Sequence, residues 1–323
     1  HAIDTTPFVS PLAADRDLLP QGRELGAYLY PVALEFPVST GPASNDRYVA
    51  LGSHDRGKVY SVPLTELEAA FAELRAGHHG SLLSTRVIPA WHHVTHSTLT
   101  APPVVPDIQE EAAGATADLV IYATHEGRIY GRSLSRFDDP VYSHGWDFPP
   151  RGRIGPVTAP LAVRRFEIGR NRDTNEPMSE SFVFAGSDDH ALYILNAASG
   201  YLQGKITLGG PIRSNPVVMG RGAGTMRIYV HAERDGFHCV GIEPGGVQHI
   251  RRAQRIYVPA VNSSGEAIHV RIPQDRPRWP LRGIWRVEGP TRFLMEGARR
   301  VYLHGPGNIL WALDKETGEV LWR

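Results

Sequence analysis

Fifteen histidines are spread over the 323 residues, and three of them fall in one run, Trp91-His92-His93-Val94-Thr95-His96. Imidazoles gathered within bonding reach would take zinc or copper. In an extended strand, however, successive side chains point to opposite faces, so His92 and His93 diverge, as do His93 and His96. At most two could share an ion without a bend, no carboxylate lies nearby in the sequence, and a structural or surface role is the preferred reading. An N-terminal histidine can chelate copper through its amine and ring, which gives His1 interest only if it is the natural terminus. Nucleophilic catalysis has less support: there is no Gly-x-Ser-x-Gly elbow, and the serines fall in turns and loops. Cys239 is the only cysteine, so no intrachain disulfide can form, and its apolar setting marks a buried, inert thiol. Asn262-Ser263-Ser264 fits a glycosylation acceptor, which matters only for a eukaryotic secreted protein.

A different chemistry is suggested between residues 247 and 288. Arg251, Arg252, Arg255, Arg271, Arg276, Arg278, Arg282 and Arg286 crowd beside Trp279 and Trp285. Arginine with tryptophan is the composition of protein interfaces, although solvated strand edges carry arginines too. Arg276, Arg278, Trp279, Arg282 and Trp285 are the candidate interaction residues, and substituting both tryptophans is expected to weaken partner binding and leave the fold intact.

The elements that must position these residues are short strands. In the C-terminal 25 residues, Val301-Tyr302-Leu303-His304 and Ile309-Leu310-Trp311-Ala312-Leu313 read as alternating strands flanking Gly305-Pro306-Gly307-Asn308, a hairpin. Asp314-Lys315-Glu316-Thr317-Gly318 reverses the chain again, and Val320-Leu321-Trp322 forms a third strand. The same grammar recurs at Tyr48 to Val62, Leu119 to Tyr130, Phe182 to Leu195 and Met226 to Val240. Most copies follow a small-residue, proline-containing strand: Leu29 to Ala33, Leu99 to Val105, Val157 to Val163 and Ile212 to Val218. A four-stranded unit copied several times is the blade of a β-propeller.

The C-terminal pattern Ala312, Asp314, Thr317-Gly318 and Trp322 resembles the repeat of the quinoprotein-like (PQQ-repeat) propellers, and the preceding strands are similar to that family's blade consensus. The resemblance covers roughly residues 28 to 323 and implies an all-β propeller of four-stranded antiparallel blades, six favoured and five to seven possible. It also implies that the blade-final tryptophan stacks on a neighbouring blade. In the family's dehydrogenases calcium and a quinone lie on the propeller axis, with an aspartate base and often an adjacent cysteine pair. This chain has no such pair, and no acidic residue matches those motifs. Asp55, Glu126, Asp188 and Asp189 sit instead in predicted hairpin turns, which short polar side chains stabilise.

Residues 1 to 27 lack periodicity and read as an extended arm, with a single propeller domain over 28 to 323. One short helix is inserted at Thr65 to Gly77, where Thr65 with Glu68 fits a capping box and Leu67, Ala70, Phe71 and Leu74 form one stripe. Asp107 to Gly114 is an acidic, solvated loop, and Glu167 to Ser181 a surface loop or hairpin extension. Tyr257 to Val261, Ala267 to Ile272 and Gly283 to Val287 read as three strands of a degenerate fifth blade.

Composition removes several classes. With 34 basic and 34 acidic side chains, the electrostatic footprint of a nucleic-acid binder is missing. No apolar run approaches the roughly 18 to 20 residues that span a bilayer, although peripheral membrane association is compatible. The expectation is a non-catalytic platform or accessory subunit of a larger extracytoplasmic (periplasmic or secreted) assembly, with other proteins as partners and no cofactor predicted, calcium, copper and PQQ not being excluded. The alternatives are a diverged quinone- or metal-dependent oxidoreductase with Thr98, Thr158, Arg213 and Asn215 lining its axial funnel, and a sugar- or polymer-binding module using Trp91 and Trp146.

Overall fold

A computed structural model describes residues 40–45, 47–53, 57–75, 91–106, 119–134, 145–170, 175, 177–243, 257–261, 267–271 and 279–323. The first sheet has the order β1 (Ala43–Ser44), β2 (Tyr48–Ser53), β3 (Lys58–Pro63), β4 (Trp91–Val94), with helix α1 (Leu64–Arg75) following β3 directly. The helix therefore begins one residue before Thr65, and the Leu64 N–H donates to the Arg47 carbonyl at 2.7 Å. Strand β4 shows the extended backbone expected over Trp91–Val94.

The second sheet, β5 (Leu119–Ala123), β6 (Ile129–Ser133) and β7 (Trp146–Phe148), gains a first strand through the bridges Leu99 to Thr124 and Val104 to Ile121. The third is β8 (Ala162–Arg170), β9 (Pro177–Gly186), β10 (Ala191–Asn196) and β11 (Leu202–Thr207). Pairing of β8 with β9 runs out to Arg170 and Pro177, so the Glu167 to Ser181 insertion is a hairpin extension.

The fourth sheet corrects the reading of residues 247 to 288. It begins β12 (Val217–Met219), β13 (Arg227–Ala232), β14 (Gly236–Ile242). Strands β15 (Tyr257–Val261) and β16 (Ala267–Arg271) then pair with each other as a two-stranded sheet, and β17 (Leu281–Val287) pairs with β14 to complete the blade. The segment is thus an insertion in the fourth blade, not a fifth blade. β17 is the outer strand that in the third and fifth blades follows a short turn, and the Glu243 N–H to Pro280 carbonyl bond of 2.8 Å closes the neck of the insertion. The last sheet is β18 (Arg292–Glu296), β19 (Arg300–Gly305), β20 (Ile309–Asp314) and β21 (Val320–Trp322), the meander expected from the C-terminal residues. Five blade sheets are therefore present among the described residues, against the favoured six. The arm over 1–27, the strand at Leu29 to Ala33 and the acidic loop at Asp107 to Gly114 lie outside them.

Every blade is antiparallel, and the facing surfaces of successive blades share cores. Ala50, Val59, Leu99 and Tyr122 join the first sheet to the second. Ile121, Phe148, Val183 and Tyr193 join the second to the third, Phe166, Phe184, Ile228 and Trp279 the third to the fourth, and Tyr229, Phe237, Leu303 and Trp311 the fourth to the fifth. The chain is an all-β propeller.

Candidate functional site

The tryptophans of the outer strands build the joints between blades. Trp146 on β7 lies opposite Gly131 of β6 and donates its indole N–H to the Ala197 carbonyl of the next sheet at 3.0 Å. Trp285 on β17 lies opposite Cys239 of β14 and donates to the Lys315 carbonyl of the next sheet at 2.8 Å. The two receiving turns are built alike. In Asn196-Ala197-Ala198-Ser199-Gly200 the Asn196 side chain accepts from the Ser199 N–H, and in Asp314-Lys315-Glu316-Thr317-Gly318 the Asp314 carboxylate accepts from the Thr317 N–H. Each ends in a glycine with positive φ, +68° at Gly200 and +74° at Gly318, and a Cβ at either glycine would enter the indole stacked on it. Only glycine supplies both the left-handed backbone and the room for a ring.

This geometry places the sequence-predicted interaction residues. Trp279 is 1% exposed, its ring centroid 4.5 Å from that of Phe182, and its backbone N–H donates to the Gln203 carbonyl. Trp285 is 7% exposed. Neither is an exposed anchor: both are spent on joints between blades, so substituting them would act on the fold, contrary to the sequence expectation. Arg282 is exposed on β17, and Arg276 and Arg278 lie outside the described residues. Trp146 is likewise used for packing between blades, not held free for a sugar.

The exposed apolar surface lies elsewhere. Among the described residues, seven large hydrophobic side chains, Leu294, Met295, Ile309, Leu310, Val320, Leu321 and Trp322, are 38% to 56% exposed, and all belong to the fifth sheet. Pairing aligns Met295, Tyr302, Ala312 and Trp322 in one row and Arg292, His304 and Leu310 in another, on the face turned away from the fourth sheet. Val301, Leu303, Trp311 and Leu313 fill the near face, against Tyr229 and Phe237. The sequence held a signal for this: Ile309 to Leu313 is apolar at every position, a pattern of strands covered on both faces rather than one.

At the end of the sheets where the first strands begin, the side chains are charged and mutually satisfied. Arg213 grips both carboxylate oxygens of Asp188 at 2.9 Å and reaches Glu233 at 3.0 Å, and Arg153 pairs with Glu126 at 3.0 Å. Burial pushes the Asp189 carboxyl up, but hydrogen bonds from the Tyr193 and Ser187 hydroxyls and the Gly155 and Ala191 N–H groups outweigh it and hold the pKa below the usual value. Asp189 holds its turn, as the sequence reading expected, whereas Glu126 and Asp188 are spent on ion pairs with Arg153 and Arg213; Asp55 lies outside the described residues. No group of three or more metal-type side chains converges among the described residues. Among the described residues of this end, Glu126 and Asp188 are each paired with an arginine and Asp189 is held by turn hydrogen bonds.

No protein-family model matches this chain, and no curated protein matches it in sequence. Among solved structures it is similar to BamB from Moraxella catarrhalis, with 15% identity and a TM-score of 0.47 over 88% of this chain and 61% of that one. It is also similar to BBS1N in complex with ARL6DN, with 16% identity and a TM-score of 0.41 over 85% and 62%. A computationally designed protein, Ika8, matches at 13% identity and a TM-score of 0.43 over 90% and 63%. The chain spans about three fifths of the length of each. At these scores the likenesses add nothing to what the sheets themselves show.

Proposed function

We propose that this chain is a non-catalytic, quinoprotein-like β-propeller that works outside the cytoplasm as a protein–protein interaction platform or accessory subunit of a larger assembly. The observation that carries the reading is the fifth sheet, where, among the described residues, seven large apolar side chains are 38% to 56% exposed, Met295, Leu310 and Trp322 of them on the face turned away from the fourth sheet. Contiguous apolar surface of this kind marks a site of association, since leaving it in water forfeits about 25 cal/mol for every Å². The charged end of the sheets supports the same reading, because its carboxylates are already paired with arginines and hold turns.

The test is the intact mass, native-state mass and metal content of the protein isolated from its natural source. The expected result is a cofactor-free chain in a stoichiometric complex with other proteins. A lone chain carrying calcium, copper or a quinone-sized adduct would replace this reading with an oxidoreductase working at the propeller axis.

A further inference from the structure

The third strands of the five blades open on the same three places: Lys58-Val59-Tyr60, Arg128-Ile129-Tyr130, Ala191-Leu192-Tyr193, Gly236-Phe237-His238 and Ile309-Leu310-Trp311. The third place is a phenol or an indole in four blades and an imidazole in the fourth. In the third blade its tip reaches back to the hairpin turn, where the Tyr193 hydroxyl donates to Asp189 at 2.5 Å. The same carboxylate oxygen accepts from the Gly155 N–H, in the linker arriving from the second blade, at 3.4 Å.

The fourth blade repeats this arrangement with a side chain that titrates near neutrality. Nε2 of His238 is closed to solvent and stands 3.0 Å from Oδ2 of Asp235, and that oxygen accepts from the Gly209 N–H, in the linker arriving from the third blade, at 2.6 Å. Arg286 of β17, opposite His238 in the ladder, pairs with the other oxygen at 3.1 Å. A Cβ at Gly209 would enter the carboxylate, so the linker lies directly on it. Hairpin, outer strand and incoming linker therefore meet at Asp235. Among the described residues, Asp235 and Arg286 are the charges that act on the ring. The linker from Leu208 to Ile212 carries no ionisable side chain, Glu233 of the same turn is spent on Arg213, and Glu288 on Arg286. With Arg286 already answering Asp235, a proton on His238 adds a second cation beside one carboxylate in a place closed to water. Burial outweighs the pull of Asp235 and holds the imidazole pKa below its ordinary value.

We infer that Asp235, His238 and Arg286 form an acid-released latch between the third and fourth blades: when His238 takes up a proton its ring swings out to water, the turn carrying Asp235 moves with it, and the bond to Gly209 opens. A ring that binds its proton more weakly in the folded chain than in the unfolded one stabilises the closed joint above about pH 6.5 and loses that contribution as the pH falls. The third blade, with Tyr193 in the same place, has no such response in this range, because a phenol stays protonated there. The latch goes beyond the platform reading and holds whatever the platform binds.

The experiment is hydrogen exchange with mass spectrometry on the full chain between about pH 7.5 and about pH 5.5, each rate corrected for the pH dependence of an unstructured amide. The expected result is a loss of protection on acidification in peptides spanning Leu208 to Ile212 and Phe237 to Val240, and none in Gly155 to Thr158. His238→Gln keeps a neutral polar tip, and in that variant protection from Leu208 to Ile212 no longer changes with pH. His231, whose pKa burial also lowers, lies opposite Phe237 on the face turned to the fifth blade, so its titration persists in the variant and does not report at Gly209. Protection from Leu208 to Ile212 that is equal at both ends of the range, that falls equally in Gly155 to Thr158, or that falls equally in His238→Gln would overturn the latch. The wild-type chain supplies a readout that needs no variant: the His238 ring-proton resonance and the exchange at Gly209 share one midpoint in pH, and separate midpoints would overturn the latch as well.

Discussion

At the scale of single residues, the joints between blades depend on a few side chains that tolerate no near substitute. Gly318 combines a φ of +74° with an indole lying where its Cβ would be. Gly318→Ala therefore strains the backbone and displaces Trp285 from the Lys315 carbonyl. We expect a loss of about 1–3 kcal/mol in urea unfolding, above the usual Gly-to-Ala effect because both terms act together. With Trp285→Leu in the same chain the cost of the alanine should shrink, because the clash is then with a smaller, movable group. Equal costs in both backgrounds would show that backbone strain alone decides the site. Beneath this joint Tyr229 donates to Glu296 at 2.7 Å, and Glu296 pairs with Lys315 at 2.5 Å, so the buried carboxylate is answered from both sheets. Burial pushes the neighbouring Cys239 thiol up to about 12, which leaves it without thiolate at neutral pH and bears out its reading as inert.

At the scale of elements, the fourth blade shows how a repeat absorbs an insertion. In the third and fifth blades a five-residue turn links the third strand to the fourth; in the fourth blade the chain leaves after β14, pairs β15 with β16, and returns as β17. The neck bond between Glu243 and Pro280 lets the blade close without regard to what lies between. Replacing residues 245–276 with a short flexible turn that keeps Trp279 should change the thermal midpoint by only a few degrees, because loop length enters the closure entropy logarithmically. Collapse of the fold would show that the hairpin is part of the core. The hairpins of all five blades were legible in the sequence, since glycine-rich turns and short apolar runs are local signals. The partner of Leu281–Val287 was not, because strand composition cannot say whether a strand pairs with its sequence neighbour or with β14, more than thirty residues earlier. The roles of Trp279 and Trp285 were hidden for the same reason: an indole in a joint and an indole on an interface have one composition, and only packing separates them. The fifth sheet's far face was written in the unbroken apolar run Ile309 to Leu313, though alternation was the pattern sought there.

At the scale of the molecule, the five blades form a chain of nearest neighbours, each pair holding its own apolar cluster. Stability in such an array is a sum of blade terms and interface terms, so cooperativity rests on the weakest joint. The joint between the third and fourth blades is unlike the joints on either side. No outer-strand tryptophan of the third blade docks forward there; Trp279 reaches back from the fourth blade onto Phe182 and Gly204. It is among the largest fully buried side chains, and it arrives on the segment that returns from the insertion. Trp279→Ala should cost about 3–5 kcal/mol, the range for emptying a large aromatic site, and the loss should fall on the joint rather than on either blade. Hydrogen exchange would then show the fourth and fifth blades opening at lower free energy than the first three, where the wild-type protein opens them together. A uniform loss of protection across all five blades would mean that the joints are coupled more strongly than their separate cores imply, and that the propeller folds as one unit.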